Sequence, residues 1–279
     1  MIEKLHDPAS GDDAAGYTRP ARRRNPGGWV ARAAETIARL VYPPACPACR
    51  AEIAEPGGLC PACWRDTIFI NPPACNCCGA PMAFGPSEGL VCDACEHAPP
   101  AWARGVGAVV YEGAARRLIL ALKHGDRLDV APLAARWMLA AQGGAGGTLV
   151  KTADLIAPAP LHWKRMLKRK YNQSGEIARE LARISGKDAA LALDLLERTR
   201  STQSQEGRNR RERRENVAGA FAVARRWRSR IAGRRVLLID DVLTTGATLS
   251  GCAEACRAAG AADVNVLTFA RVAREERPA

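Results

Sequence analysis

The chain of 279 residues has no apolar run approaching the ~18 residues that a membrane-spanning helix needs, which excludes an integral helical membrane protein. It also lacks a secretory start. Its opening, Met-Ile-Glu-Lys-Leu-His-Asp, has neither the basic beginning nor the apolar core of a signal peptide, so a cytoplasmic protein is expected. No internal repeat stands out beyond a duplicated cysteine pattern, and only two of the 11 cysteines, Cys252 and Cys256, fall outside residues 46–95. Those two lie one helical turn apart and read as small core residues. What remains is an apolar fraction of 47%, ordinary for a globular protein and enough for one large domain and a small one.

Nine cysteines crowded into fifty residues of a cytoplasmic chain mean metal, because disulfides are not maintained there. Cys46-Pro-Ala-Cys49 is followed after ten residues by Cys60-Pro-Ala-Cys63, and Cys75-Asn-Cys77-Cys78 after thirteen by Cys92-Asp-Ala-Cys95. This spacing fits two tetrahedral Cys₄ zinc sites, 46/49/60/63 and 75/78/92/95, with Cys77 a spectator; spacing alone also admits interleaved pairs. Gly79 relieves crowding behind the second knuckle. Iron–sulfur ligation is the competing metal reading, and a redox dithiol the weaker one. With four thiolates per site no position is open for a catalytic water, so the Zn²⁺ is expected to be structural. Its binding energy, on the order of 10 kcal/mol in small zinc peptides, substitutes for a core that this Gly- and Pro-rich stretch does not have.

The formal net charge of +12 is concentrated: residues 162–235 hold 21 Lys or Arg against 8 Asp or Glu. Such a concentration suggests a polyanionic partner, either a pyrophosphate-bearing substrate or a nucleic-acid backbone. Within it, Arg165 and Arg169 lie four apart, with Lys164 and Lys168 beside them, and on a helix they line one face. A second basic stretch, 200–216, is polar and has no apolar face. It reads equally as a loop that folds over a bound ligand or as a nucleic-acid arm.

Residues 236–248, Val-Leu-Leu-Ile-Asp-Asp-Val-Leu-Thr-Thr-Gly-Ala-Thr, run a buried parallel strand into two carboxylates and a hydroxyl-rich turn that opens a helix. Unpaired N–H groups and the positive end of the helix dipole converge there. Thr244, Thr245 and Thr248 add donors, while Gly246 and Ala247 leave room for a phosphate. Asp240 and Asp241 suit the vicinal hydroxyls of a ribose, directly or through hydrated Mg²⁺. The spacing matches neither Gly-x-Gly-x-x-Gly nor the P-loop. It resembles the 5-phosphoribosyl-1-pyrophosphate (PRPP) loop of type I phosphoribosyltransferases.

Along the chain, 1–26 read as a disordered tail. Trp29, Ala33, Ile37, Leu40 and Val41 fall at helical spacing before Pro43-Pro44, and their apolar face is expected to pack on the metal module. From residue 106 strand and helix signals alternate, as in a parallel sheet covered by helices: strands at 106–111, 154–158, 217–223, 236–240 and 264–270, helices at 114–123, 130–142, 173–185 and 248–259. Gly143 to Gly147 read as a flexible loop, and Asn172-Gln173-Ser174 as a helix cap. The expected domains are 27–100, a short helix and double zinc ribbon, and 101–279.

Several motifs together resemble the competence protein F family of phosphoribosyltransferase-like proteins. They are Pro158-x-Pro160-Leu161, Arg165-x-x-x-Arg169-x-Tyr-Asn172-Gln173, Arg200-x-Thr202-x-x-Gln205, Arg213-x-x-Asn216-x-x-Gly-Ala-Phe221 and Asp240-Asp241-Val-x-Thr-Thr-Gly-x-Thr248, with Ala121-Leu-Lys123-His-Gly125 as a lysine-bearing turn. Lys170 and Arg208 depart from the family pattern, which has glycine and leucine there. The resemblance implies an α/β fold of the type I phosphoribosyltransferase kind with a small N-terminal double zinc ribbon, PRPP with Mg²⁺ as ligand, and a role in natural transformation and single-stranded DNA uptake. The expected chemistry is pentosyl transfer to an acceptor that family membership does not identify. Asp240 and Asp241 would hold ribose and metal, residues 244–248 the 5-phosphate, and Arg165 with Arg169 the departing pyrophosphate. No residue stands out as a general base. The rival readings are a nucleic-acid-binding protein that senses PRPP, and an adaptor whose ribbons dock a protein such as a helicase.

Overall fold

Four apolar segments along the chain converge into one parallel sheet in the computed structural model, which describes residues 43–85, 89–124, 127–161, 171–199 and 219–272. The tail at 1–26, the helix expected from Trp29 to Val41, Arg165, Arg169 and the basic stretch 200–216 lie outside these residues. In chain order the described elements are α1 (Pro61–Arg65), α2 (Asp93–His97), β1 (Gly105–Val110), α3 (Gly113–His124), α4 (Val130–Thr152), β2 (Leu155–Pro158), α5 (Gln173–Ser185), β3 (Leu196–Arg198), β4 (Phe221–Val223), α6 (Arg228–Ile231), β5 (Arg235–Leu243), α7 (Ala247–Ala258) and β6 (Asp263–Arg271). The sheet order is β1-β6-β5-β2, and every pairing in it is parallel. All four carboxyl ends therefore open on the same edge, where open α/β sheets bind their ligands.

Both faces of the sheet are covered, which is why its strands read as continuous apolar runs. Leu155, Ala157, Val236, Leu238, Val264 and Val266 share one core with Leu249, Cys252 and Cys256 of α7. Ile156, Leu237, Ile239, Leu267 and Phe269 share the other with α3, α4 and α5. Cys252 and Cys256 are fully buried, as small core residues should be.

Two expectations need correction. The segment expected as a strand at 217–223 is strand only from Phe221 to Val223 among its described residues, and it pairs antiparallel with β3 in a separate hairpin, outside the parallel sheet. The glycine run expected as a loop is instead a break inside α4. Gln142, Gly143 and Gly144 take left-handed backbone angles, and helix resumes to Thr152. The return is close packed, since a Cβ on Gly146 would stand 1.9 Å from the Met138 carbonyl oxygen. Glycine here serves proximity, not flexibility.

The cysteine-bearing stretch docks on the sheet by the same device. In β1, Gly105 and Gly107 face away from Val106 and Ala108, and a Cβ on Gly105 would lie 2.4 Å from the Cys77 carbonyl oxygen. A Cβ on Gly79 would lie 2.5 Å from the Gly107 nitrogen. Backbone thus meets backbone, and Cys75, Cys78 and Cys95 join the core shared by α7 and the sheet.

Candidate functional site

β5 carries its apolar run to Ile239 and then delivers Asp240 and Asp241 at the carboxyl edge of the sheet. The chain turns through Thr244, Thr245 and Gly246, and α7 starts at Ala247. Gly246 takes φ +81°, a left-handed conformation that favours glycine, and no side chain caps the helix. The Thr245 hydroxyl is buried without a hydrogen-bond partner among the described residues. An uncapped helix start beside an unsatisfied hydroxyl is the donor set a phosphate needs.

The two acids are held differently. Asp240 Oδ1 accepts from Ser174 Oγ at 2.9 Å and from the Asp241 amide at 2.9 Å. Asp241 Oδ2 pairs with Lys123 Nζ at 3.0 Å. Burial, with the neighbouring Asp241 charge second, raises the Asp240 carboxyl to about 7, against the opposing pull of Ser174 and Lys123. Among the described residues, two acids against one lysine leave an excess of negative charge, which a divalent cation would neutralise. The donor set, hard oxygens at a partly open strand end, fits Mg²⁺.

The structure thus brings Asp240, Asp241, Thr244, Thr245, Gly246, Ala247 and Thr248 to one edge, and adds to them residues whose part the sequence did not disclose. Lys123, at the end of α3, was visible only as a family-like turn, yet it is the cation facing the acid pair. Ser174 read as a cap, but it serves Asp240 instead. Asn172 occupies the N-cap position of α5 without a capping bond; its Nδ2 donates to the Ala159 carbonyl at 3.1 Å. Arg165 and Arg169 fall outside the described residues.

The sulfurs gather into two groups, 46/49/60/63 and 75/78/92/95, with all ligand atoms of each within 4.8 Å of one another. Backbone amides point at the sulfurs: within a knuckle the Cys63 amide donates to Cys60 Sγ at 3.4 Å, and between knuckles the Cys92 amide donates to Cys75 Sγ at 3.3 Å. In the second group, hydrogen bonds led by Cys78 hold the Cys75 thiol below its ordinary range, while those led by Cys75 push Cys95 above it. Four sulfurs so placed share protons unless a cation replaces them, and both groups fit structural zinc.

The phosphate turn and the second group are neighbours. Thr244, Thr245 and Gly246 line one side of a small cleft, and Cys78, Cys95 and Trp102 line the other. A Cβ on Gly246 would stand 2.8 Å from the Trp102 ring, and the Trp102 indole N–H donates to the Cys77 carbonyl at 2.6 Å. Among the described residues no helix is long and apolar enough to cross a membrane.

Comparison with known proteins agrees with this layout. A double zinc ribbon domain matches residues 37–96 and a phosphoribosyl transferase domain matches 173–279. DNA utilization protein YhgH of Escherichia coli K12 is 31% identical over 234 residues, covering 83% of this chain and 99% of the relative. Its Salmonella typhimurium counterpart is 32% identical with the same coverage. Competence protein F of Haemophilus influenzae is 29% identical over 215 residues, 77% of this chain and 90% of the relative.

Proposed function

This chain belongs to the competence protein F family, which joins a double zinc ribbon to a phosphoribosyltransferase domain, and from that premise we propose that it binds PRPP with Mg²⁺ at the carboxyl edge of its sheet. The observation that carries this reading is the turn itself: an acid pair, an uncapped helix start and an orphaned Thr245 hydroxyl within one strand-to-helix connection. Residues 244–248 receive the 5-phosphate, and Asp240 and Asp241 accept from the ribose hydroxyls. Lys123 holds Asp241 in place. Bound Mg²⁺ supplies charge neutralisation for the pyrophosphate, and Arg165 with Arg169 provide further positive charge.

The reaction class that suits such a site is displacement at the anomeric carbon. The bond from that carbon to the pyrophosphate oxygen breaks, pyrophosphate leaves with the electron pair, and an acceptor's lone pair forms the new bond. The protein's part is positioning and electrostatic stabilisation of an oxocarbenium-like state, without a protein nucleophile. Calorimetric titration of the zinc-loaded full chain with PRPP and Mg²⁺ tests the binding. The double variant Asp240→Ala, Asp241→Ala should weaken it at least a hundredfold; no heat from the wild-type protein, or equal affinity in both, would sink the reading.

A second reading rests on a separate observation, the excess of basic residues at 162–235. We propose that this region binds single-stranded DNA in natural transformation, in keeping with the names of its relatives. Fluorescence anisotropy with single-stranded DNA across a salt series should give a steep slope that flattens when Arg211 and Arg214 are neutralised. A slope unchanged by those substitutions would remove the basic stretch from the interface.

A further inference from the structure

Arg271 ends β6 opposite Leu243 of β5 and Val110 of β1, and it is only 1% exposed. A guanidinium that deep normally faces a carboxylate. No acid lies within ion-pair distance of it among the described residues. Its Nη1 instead donates to three carbonyl oxygens, those of Leu243 at 3.0 Å, Thr244 at 2.9 Å and Val272 at 2.8 Å. Its Nη2 lies 3.8 Å from Cys78 Sγ. One side chain therefore spans the phosphate turn and the second cysteine group.

Charge accounts for this placement. Four thiolates around one Zn²⁺ leave two net negative charges, and a cation buried against one of the sulfurs offsets part of them. Nη1 is then directed at the Leu243, Thr244 and Val272 carbonyls, while Nε is buried without a partner among the described residues. Because the peptide is planar and trans, a carbonyl drawn toward Arg271 sends the N–H of the following residue the opposite way. Fixing the carbonyls of Leu243 and Thr244 fixes the amides of Thr244 and Thr245, which are among the groups a phosphate would meet. Trp102 supplies a second strut, from the Cys77 carbonyl to the underside of Gly246.

We propose that Arg271 is a positioning residue that makes the conformation of the phosphate turn depend on metal in the second cysteine site. The metal is thereby part of the ligand-binding apparatus without touching the ligand. Where the proposal concerns PRPP it rests on the reading given above, but the tie between metal and turn is measurable without any ligand.

The test is amide hydrogen exchange at residues 243–247 in the full chain, with zinc content determined for each sample and Mg–PRPP titrated in parallel. Cys92→Ser, which opens the second site, should raise exchange at these amides at least tenfold over the zinc-loaded wild type. Arg271→Met should raise it comparably while both zinc ions are retained, and Cys92→Ser added to Arg271→Met should raise it little further. Should Arg271→Met not fold, Arg271→Lys keeps the charge but loses the fork, and a several-fold rise is expected. Trp102→Phe, which removes the bond to Cys77 and the ring edge nearest Gly246 but leaves Arg271 in place, should give a smaller one. Exchange at 243–247 that ignores the loss of the second zinc, or effects of Cys92→Ser and Arg271→Met that simply multiply, would overturn the proposal. If the turn responds to zinc but the wild-type protein takes up no Mg–PRPP, the PRPP reading falls and the tether stands. If Mg–PRPP binds equally with and without the second zinc, the tether falls and the PRPP reading stands.

Discussion

The two cysteine sites are written in the same motif, and the fold uses them differently. The first, 46/49/60/63, sits in a small apolar cluster with Ala114 at the start of α3. The arginine on its sulfur, Arg117, reaches Cys63 Sγ at 3.6 Å, but it is 45% exposed and shared with Asp66 at 2.7 Å. The second, 75/78/92/95, lies in the main core, and its arginine is buried and shared with the phosphate turn. A Cys-x-x-Cys knuckle therefore specifies a metal but not what the metal supports. What it packs on decides that: a helix start in one case, a ligand turn in the other.

The widest separation between the sites should come from breaking each in turn. Cys92→Ser removes a ligand whose group shares the sheet's core, whereas Cys49 is an exposed ligand of the outlying group. A structural zinc contributes on the order of 10 kcal/mol in isolated peptides, of which only part is lost with one of four ligands. Cys92→Ser should therefore lower the unfolding midpoint of the whole chain and weaken Mg–PRPP binding by about a hundredfold or more. Cys49→Ser should act chiefly near residues 44–66 and shift Mg–PRPP affinity far less. Equal losses of Mg–PRPP affinity from the two variants would erase the distinction drawn between the sites.

A finer comparison replaces the two arginines. Removing Arg271 leaves two turn carbonyls and a thiolate site without their buried cation, a change of the kind that costs about 3–5 kcal/mol. Arg117→Met removes a solvent-screened contact worth roughly 0–1 kcal/mol. Urea unfolding of the zinc-loaded proteins should rank them in that order, and a reversed rank would mean that Arg271 is placed by packing and not by charge.

Much of this architecture was legible beforehand, for identifiable reasons. The parallel strands announced themselves because burial on both faces demands uninterrupted apolar runs, and the cysteine grouping because tetrahedral ligation fixes spacing. The acid pair and threonine turn were legible because strand, turn and helix start are contiguous. What stayed hidden depends on contacts between distant segments. Ser174 and Lys123 meet the acid pair from the ends of two other helices, and nothing in their own neighbourhoods names that partner. Arg271 lies beyond the expected strand 264–270 and looks like an ordinary solvated strand end until β1 and β5 enclose it. The glycine run after Gln142 misled because glycine signals both freedom and close approach, and only packing against Met138 tells the two apart.

The smallest effect, and the most diagnostic of the acid pair, concerns charge that has no full counterpart among the described residues. Arg271 lies against a cysteine sulfur, whereas Asp240 sits half-buried beside a second acid that, among the described residues, pairs with a single lysine. Its folded pKa of about 7 exceeds the ~3.9 of an unfolded aspartate. The folded protein then holds the proton more tightly. This group's contribution is fully present below pH ~4, declines as pH rises, and is gone above about 7, where ionised Asp240 burdens the fold. Asp240→Asn keeps an acceptor for Ser174 and the Asp241 amide but cannot ionise. Its stability relative to wild type should therefore grow between pH 5 and 8 by roughly 1–3 kcal/mol, less than the full shift implies because the site is partly open to solvent. Urea unfolding of both proteins across that range measures it, with the thiols cancelling in the difference. If Mg²⁺ needs the ionised carboxylate, Mg–PRPP affinity of the wild type should also rise about tenfold from pH 6 to 8, more steeply than that of the variant. A stability difference flat in pH would mean that the lysine already balances the pair, and the charge case for a divalent cation at this edge would go with it.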